Sequence, residues 1–220
     1  GLIMRRFAII GQRAMSQGKL PLNDLAGGAG RMDVLVRAMM SALMTSHGFR
    51  NDTEIILHLQ GGPGPKRRIK IDGHTVRGIH AEERSVAGQI GKVLKQPTPP
   101  KGHWIERSRG IWDSGGDIQD TIMEWDSCNI VALDADAERL WKENSAIPIT
   151  SSPLSKVTQN ENNIEFQGID IGFILSDDKP LNEELPKQIL RRSLGDVWLQ
   201  GHLAIAICHF LIDEGVELNI

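Results

Sequence analysis

Two stretches of this 220-residue chain gather the residue types that hold ligands and handle protons. The first is a glycine loop opening a helix, Leu25-Ala26-Gly27-Gly28-Ala29-Gly30-Arg31-Met32-Asp33. An arginine set by a tight loop can hold a phosphate or a base edge, and a nearby carboxylate can accept a hydrogen bond or a proton. The plain reading of the same residues is a helix start, with Asp33 as its cap and Arg37 pairing to it at i,i+4. The second stretch runs from Ile171 to Asp213, where strands end at Leu175-Ser176-Asp177 and at Ser193-Leu194-Gly195-Asp196 ahead of an apolar helix. Leu133-Asp134 closes another strand in the same way. Ligands of open α/β sheets bind just beyond the carboxyl ends of strands, although ordinary strand-to-helix turns look alike.

Other reactive groups point less sharply. Lys66, Arg67, Arg68 and Lys70 form a compact basic cluster, expected to be a solvated hairpin, with RNA phosphates as the functional alternative. Trp104 and Trp112 stand near Arg107 and Arg109, where they could stack on an unpaired base or simply pack. His47, His74, His80 and His202 lack metal-ligand spacing, and no metal is assigned. Cys128 and Cys208 each fall in an apolar run, as buried thiols do. No Ser-His-Asp order is recognisable. Gly27-Gly28-Ala29-Gly30 does not have the G-x-G-x-x-G spacing of a dinucleotide fold, so a nicotinamide dehydrogenase is the weakest reading.

The elements that must position these groups alternate between strand and helix. Phe7 to Ile10 and Thr53 to Leu59 read as strands, Arg67 to Ile71 as a hairpin partner, and Asn129 to Leu133, Gly172 to Leu175 and Val197 to Leu199 as further strands. Helical periodicity runs from Asp33 to about His47, from Ala81 to Leu94, from Asp117 to Trp125, and through Leu203 to Ile212; Glu183 to Arg192 is a further candidate. Gln96 to Gly102, with three prolines, is the best candidate linker, and Ser151 to Asn163 reads as an exposed loop or hairpin. The pattern predicts an α/β fold with a sheet that is parallel in its core and carries helices on both faces.

Composition sets wide limits. Apolar residues make up 40% and charged residues 24%, ordinary for a globular protein, and no run of about eighteen apolar residues suggests a membrane span. The net charge of −3 argues against a general nucleic-acid coat while leaving room for a local basic face. With two cysteines and no secretory pattern, the chain is expected in the cytoplasm. Gly1-Leu2-Ile3 precede Met4 and read as a remnant or an alternative start, leaving 4–220 as a single domain.

From Leu22-Asn23-Asp24 through Asp33-Val34-Leu35, and again at Phe173-Ile174-Leu175-Ser176-Asp177 and Ser193-Leu194-Gly195 with Leu199, the chain resembles one family. It is similar to the archaeal tRNA pseudouridine N1-methyltransferases, S-adenosylmethionine-dependent enzymes of the trefoil-knotted SPOUT class. The resemblance implies a C-terminal knot, a homodimer, and methylation of N1 of the T-loop pseudouridine at position fifty-four of tRNA. Carried over residue by residue, it implies cofactor contacts at Leu133, Ser176, Leu194, Gly195, Asp196, Val197, Trp198, Leu199 and Ala204, and catalytic roles for Arg31 and Asp33, with Asp33 handling the N1 proton. The chain departs from the family pattern where Gly-Asp-His is Ser176-Asp177-Asp178, where the proline after S-L-G is Asp196, and where H-A-D-H-C is Gln200-Gly201-His202-Leu203-Ala204. The same chemistry on ribosomal RNA, and an RNA-binding relative without transfer activity, are the competing expectations.

Overall fold

The computed structural model describes residues 4–126, 128–143 and 170–220. Ten strands and four helices follow in chain order among these residues: β1 (Arg5–Gly11), α1 (Met32–Leu43), β2 (Met44–Thr45), β3 (Gly48–Phe49), β4 (Thr53–Leu59), β5 (Arg67–Asp72), α2 (Glu83–Leu94), β6 (Ile105–Ser108), β7 (Ile111–Gly115), α3 (Ile118–Glu124), β8 (Asn129–Leu133), β9 (Ile171–Ser176), β10 (Leu190–Arg192) and α4 (Gly201–Asp213). Eight strands form one sheet in the order β10-β8-β9-β1-β4-β5-β7-β6. The pairings from β10 to β4 are all parallel, and β5, β7 and β6 add an antiparallel flank. The parallel carboxyl ends of β10, β8, β9, β1 and β4 therefore open on one edge.

Strand β1 is the centre because both its faces are apolar. Phe7 and Ile9 join Phe173, Leu57 and the inner faces of α1, α2 and α4, while Ala8 and Ile10 join Ile56, Ile174, Ile118 and Trp125 on the side of α3. Burying each such side chain contributes about 1.5–3 kcal/mol, which explains a near-continuous apolar run in a strand covered on both faces. Helix α1 buries Met32, Leu35, Val36, Met39, Ala42 and Leu43 against sheet and α4. Helix α3 starts on a capping box in which Asp117 accepts from the Gln119 N–H and Asp120 accepts from the Asp117 N–H.

Several expectations change. Helix α1 stops at Leu43, short of His47, because Met44–Thr45 and Gly48–Phe49 pair as a small hairpin. Glu183 to Arg192 is not helical: Pro186 removes a donor, and Leu190–Arg192 pairs in parallel with Val131–Leu133 as a sheet edge. Among the described residues Val197 to Leu199 pairs with no strand and is loop. Gln96 to Gly102 leads from α2 to the sheet strand β6, with Lys101 bridged to Gly115 of the neighbouring strand β7. The basic cluster is not a solvated hairpin at its centre. Arg67 and Arg68 are fully buried: Arg67 pairs with Asp113 at 2.7 Å and caps carbonyls of Val93 and Gln96, and Arg68 pairs with Glu124 at 2.6 Å. Trp104 packs over Arg68 and Lys70, as an aromatic lid on those cations rather than a free stacking face. Cys208 is buried but Cys128 only partly so. The expected loop at Ser151 to Asn163 lies outside the described residues.

Candidate active site

At the parallel carboxyl edge a cleft of about 550 Å³ opens between the ends of β8 and β9, the segment from Leu194 to Gly201, and the start of α1. Its apolar wall is Leu133, Leu175, Leu194, Leu199 and Ala204, and its polar rim is Arg31, Asp134, Ser176, Asp177, Asp178 and Arg191. Of the nine residues expected to touch a cofactor, eight line it; Asp196 does not, because its carboxylate turns outward to Arg139 at 3.3 Å and is almost wholly exposed. Between Leu194 and Gln200 no N–H donates to a backbone carbonyl of the described residues. The segment therefore offers unspent donors beside an apolar wall, the combination that small-molecule sites use for orientation and affinity.

Arg31 reaches this edge through a strained loop. Gly30 takes φ 63 and Arg31 φ 64, the latter being the one positive-φ non-glycine among the described residues. A side chain in that left-handed region costs about 1–2 kcal/mol, so the loop is held by other contacts. The N–H groups of Arg31 and Met32 donate to the carbonyls of Ala26 and Leu25 at 3.0 Å. Arg31 itself occupies the N-cap position, so the expected Asp33 cap is absent. Asp33 instead accepts from Arg31 through both oxygens, at 3.0 Å each, and pairs with Arg37 at 3.2 Å, as the i,i+4 spacing implied. Asp33 is buried and does not line the cleft, so it stands behind Arg31.

The two carboxylates after β9 sit in opposite environments. Burial pushes the Asp177 carboxyl above its ordinary range, against the N–H groups of Lys179 and Gln12 that donate to it. Asp178 is held below the usual range: its partial burial acts upward but is outweighed by the hydrogen bond and charge of Arg13 and by the charge of Arg31. Arg13 escaped sequence reasoning, because nothing local marks it and its partner is 165 residues away. Among the described residues no group of three or more His, Cys, Asp and Glu could hold a metal ion, and no helix is long and apolar enough to cross a membrane.

A cleft at the carboxyl edge of the parallel half of an α/β sheet, walled by a glycine-bearing loop and the start of a helix, is where open α/β folds take their ligands. Residues 4–165 match the family model described as "Putative SAM-dependent RNA methyltransferase". A protein of Methanocella arvoryzae is 41% identical over 135 residues, 61% of this chain and 69% of that one. Proteins of Methanosarcina mazei and Methanosarcina acetivorans are 31% and 30% identical over 216 residues, 96% of this chain and 92% of each. All three bear the name tRNA (pseudouridine(54)-N(1))-methyltransferase. The crystal structure of Archaeoglobus fulgidus Nep1 bound to S-adenosylhomocysteine matches the fold with a TM-score of 0.55 at 10% identity, over 96% of this chain and 99% of that one. The chain belongs to this family of S-adenosylmethionine-dependent RNA methyltransferases.

Proposed function

We propose that the protein transfers a methyl group from S-adenosylmethionine to N1 of pseudouridine in tRNA, at the T-loop position 54 that its relatives are named for. The observation that carries this reading is the cleft, which combines an apolar wall, unspent backbone donors and a fixed arginine at the rim. The residues fit the cofactor in size and chemistry. Leu133, Leu194, Leu199 and Ala204 would cover its apolar surface, while Ser176 and the backbone from Gly195 to Trp198 would take its polar edges. When bound, S-adenosylmethionine supplies an electrophilic methyl group on a sulfonium.

Pseudouridine carries a free N1–H, which uridine lacks, so the site must fix that edge and let the proton leave. Arg31, whose direction Asp33 fixes, is our choice among the rim cations for holding the target nucleotide. Asp33 acts through it, because two of its contacts set the plane of the Arg31 guanidinium. Asp177 lines the cleft with its carboxyl raised by burial, which makes it a better proton acceptor than an exposed aspartate and our choice for the N1 proton. The base must leave its stack to enter such a cleft, as loop or flipped nucleotides do.

Three finer statements belong to the same reading. The route from β9 out to edge strand β10 and back to α4 against α1 is compatible with the trefoil knot. The outer face of α4 carries Leu203, Ala206, Ile207 and Phe210 at helical spacing, with Val197 and Trp198 alongside; Phe210 is 51% and Trp198 76% exposed, and a homodimer would cover them. We place the enzyme in the cytoplasm with its tRNA. Calorimetric titration with S-adenosylhomocysteine tests the cleft: micromolar binding is expected, and no heat with no ligand-induced rise in Tm would remove the methyltransferase reading.

A further inference from the structure

The loop after β1 and the turn after β9 meet at the cleft rim in a contact that methyl transfer, as described above, does not use. Arg13 donates from Nη2 to both oxygens of Asp178, at 2.6 and 2.7 Å. Arg31 Nη1 stands 3.7 Å from the same carboxylate, its Nε and Nη2 being spent on Asp33. One carboxylate thus lies between two guanidiniums at the mouth of the site.

Both backbones are fixed. A Cβ on Gly30 would fall 1.7 Å from the Arg13 carbonyl oxygen, and one on Gly61 would fall 2.0 Å from it, so two glycines pack directly against the Arg13 backbone. The turn bearing Asp178 is tied down by Asp177, which accepts from Gln12 and Lys179 and donates its own N–H to Ile10 at 3.0 Å. The side chains are not fixed in the same way. Arg13 is 47% and Asp178 32% exposed, and an ion pair so exposed contributes little and exchanges easily.

We infer that Arg13 and Arg31 form a two-guanidinium clamp for a phosphodiester of the RNA substrate, with Asp178 occupying it as a stand-in anion until the RNA arrives. The inference rests on RNA being the substrate. A phosphodiester has two unesterified oxygens that match a guanidinium fork, and it outcompetes a carboxylate whose displacement costs little. Arg13 does not line the cleft, so it meets the polymer outside rather than the cofactor inside. Releasing Asp178 leaves a negative charge beside the bound phosphate, so Asp178 opposes RNA binding while filling the clamp in its absence.

The test measures tRNA affinity between low and moderate salt for the wild-type protein, Arg13→Gln, Asp178→Asn and the double variant, with S-adenosylhomocysteine affinity measured on each. Arg13→Gln is expected to weaken tRNA binding roughly tenfold and to make the slope of log Kd against log salt shallower by about one. Asp178→Asn is expected to tighten tRNA binding about threefold by removing the competing charge, an effect absent in the Arg13→Gln background. A gain of affinity cannot arise from misfolding. Weaker tRNA binding by Asp178→Asn, or an unchanged salt slope in Arg13→Gln, would overturn the clamp. So would loss of S-adenosylhomocysteine affinity with tRNA binding intact, which would give the pair to the cofactor's carboxylate. Failure of the wild-type protein to bind any tRNA would instead remove the RNA reading itself.

Discussion

Arg31 and Asp33 close on each other through two hydrogen bonds of 3.0 Å, Nε to Oδ1 and Nη2 to Oδ2, across a backbone held at φ 64. The pair converts a strained loop into a fixed direction for one guanidinium. Strain of about 1–3 kcal/mol is commonly found where orientation matters to function. Replacing Asp33 with Asn removes one acceptor oxygen and the charge that holds both Arg31 and Arg37. We expect kcat for methyl transfer to fall roughly 10- to 100-fold while the affinity for S-adenosylhomocysteine changes less than about threefold, since Asp33 lies outside the cleft. Undiminished kcat in Asp33→Asn would show that the pair is only structural.

The opposite end of β1 carries a pH-sensitive contact. His209 stands with Nδ1 2.9 Å from the Arg5 guanidinium and Nε2 2.8 Å from the Ala42 carbonyl, so Nε2 donates and Nδ1 accepts. Burial, with the charges of Arg50 and Arg5, pushes its pKa down to about 4. The unfolded chain takes up that proton near pH 6.5 and the folded one does not, so stability contributed by the neutral ring is full above 6.5 and declines toward pH 4. Glu54 and Asp177, both raised by burial, oppose this trend. Urea unfolding at pH 6 and 5 should therefore give a smaller pH dependence for His209→Gln than for the wild-type protein, by up to about 1.4 kcal/mol per pH unit. Equal slopes would mean that His209 titrates normally in the fold.

The apolar outer face of α4 gives a prediction about assembly. Phe210 and Leu203 are 51% and 46% exposed while their neighbours Ile205 and Cys208 are fully buried, so the helix carries an exposed apolar side as well as a buried one. Phe210→Asp should shift the protein from twice the chain mass to the chain mass in light scattering, without lowering Tm by more than a few degrees. A wild-type protein already at the chain mass would dismiss the dimer.

Much of this arrangement was legible in the sequence, and the gaps have physical causes. The strands at Phe7, Thr53 and Gly172 announce themselves as short apolar or β-branched runs because both their faces are buried, and the helix after Arg31 through its period, because it buries one face. Eight of the nine cofactor residues implied by the family resemblance, and Arg31 of the two catalytic ones, fall around one cleft. Arg67 and Arg68 read as solvated because their partners Asp113 and Glu124 lie 46 and 56 residues away and leave no local trace. Leu190–Arg192 falls within the candidate helix Glu183 to Arg192 because a three-residue edge strand has no period of its own and exists through pairing with β8. Asp33 looked like a cap, since an acid at a helix start usually is one; only the αL geometry of Arg31 turns it into an arginine holder.

Methyl transfer itself distinguishes these readings most directly. The protein is incubated with S-adenosylmethionine and tRNA transcripts bearing either pseudouridine or uridine at position 54, and the nucleosides are analysed by mass spectrometry. N1-methylpseudouridine from the first transcript and no methylated product from the second is the expected result, because uridine spends N1 on its glycosidic bond. A protein that binds S-adenosylhomocysteine yet leaves the pseudouridine transcript unmethylated, or that methylates both alike, would contradict the proposed function.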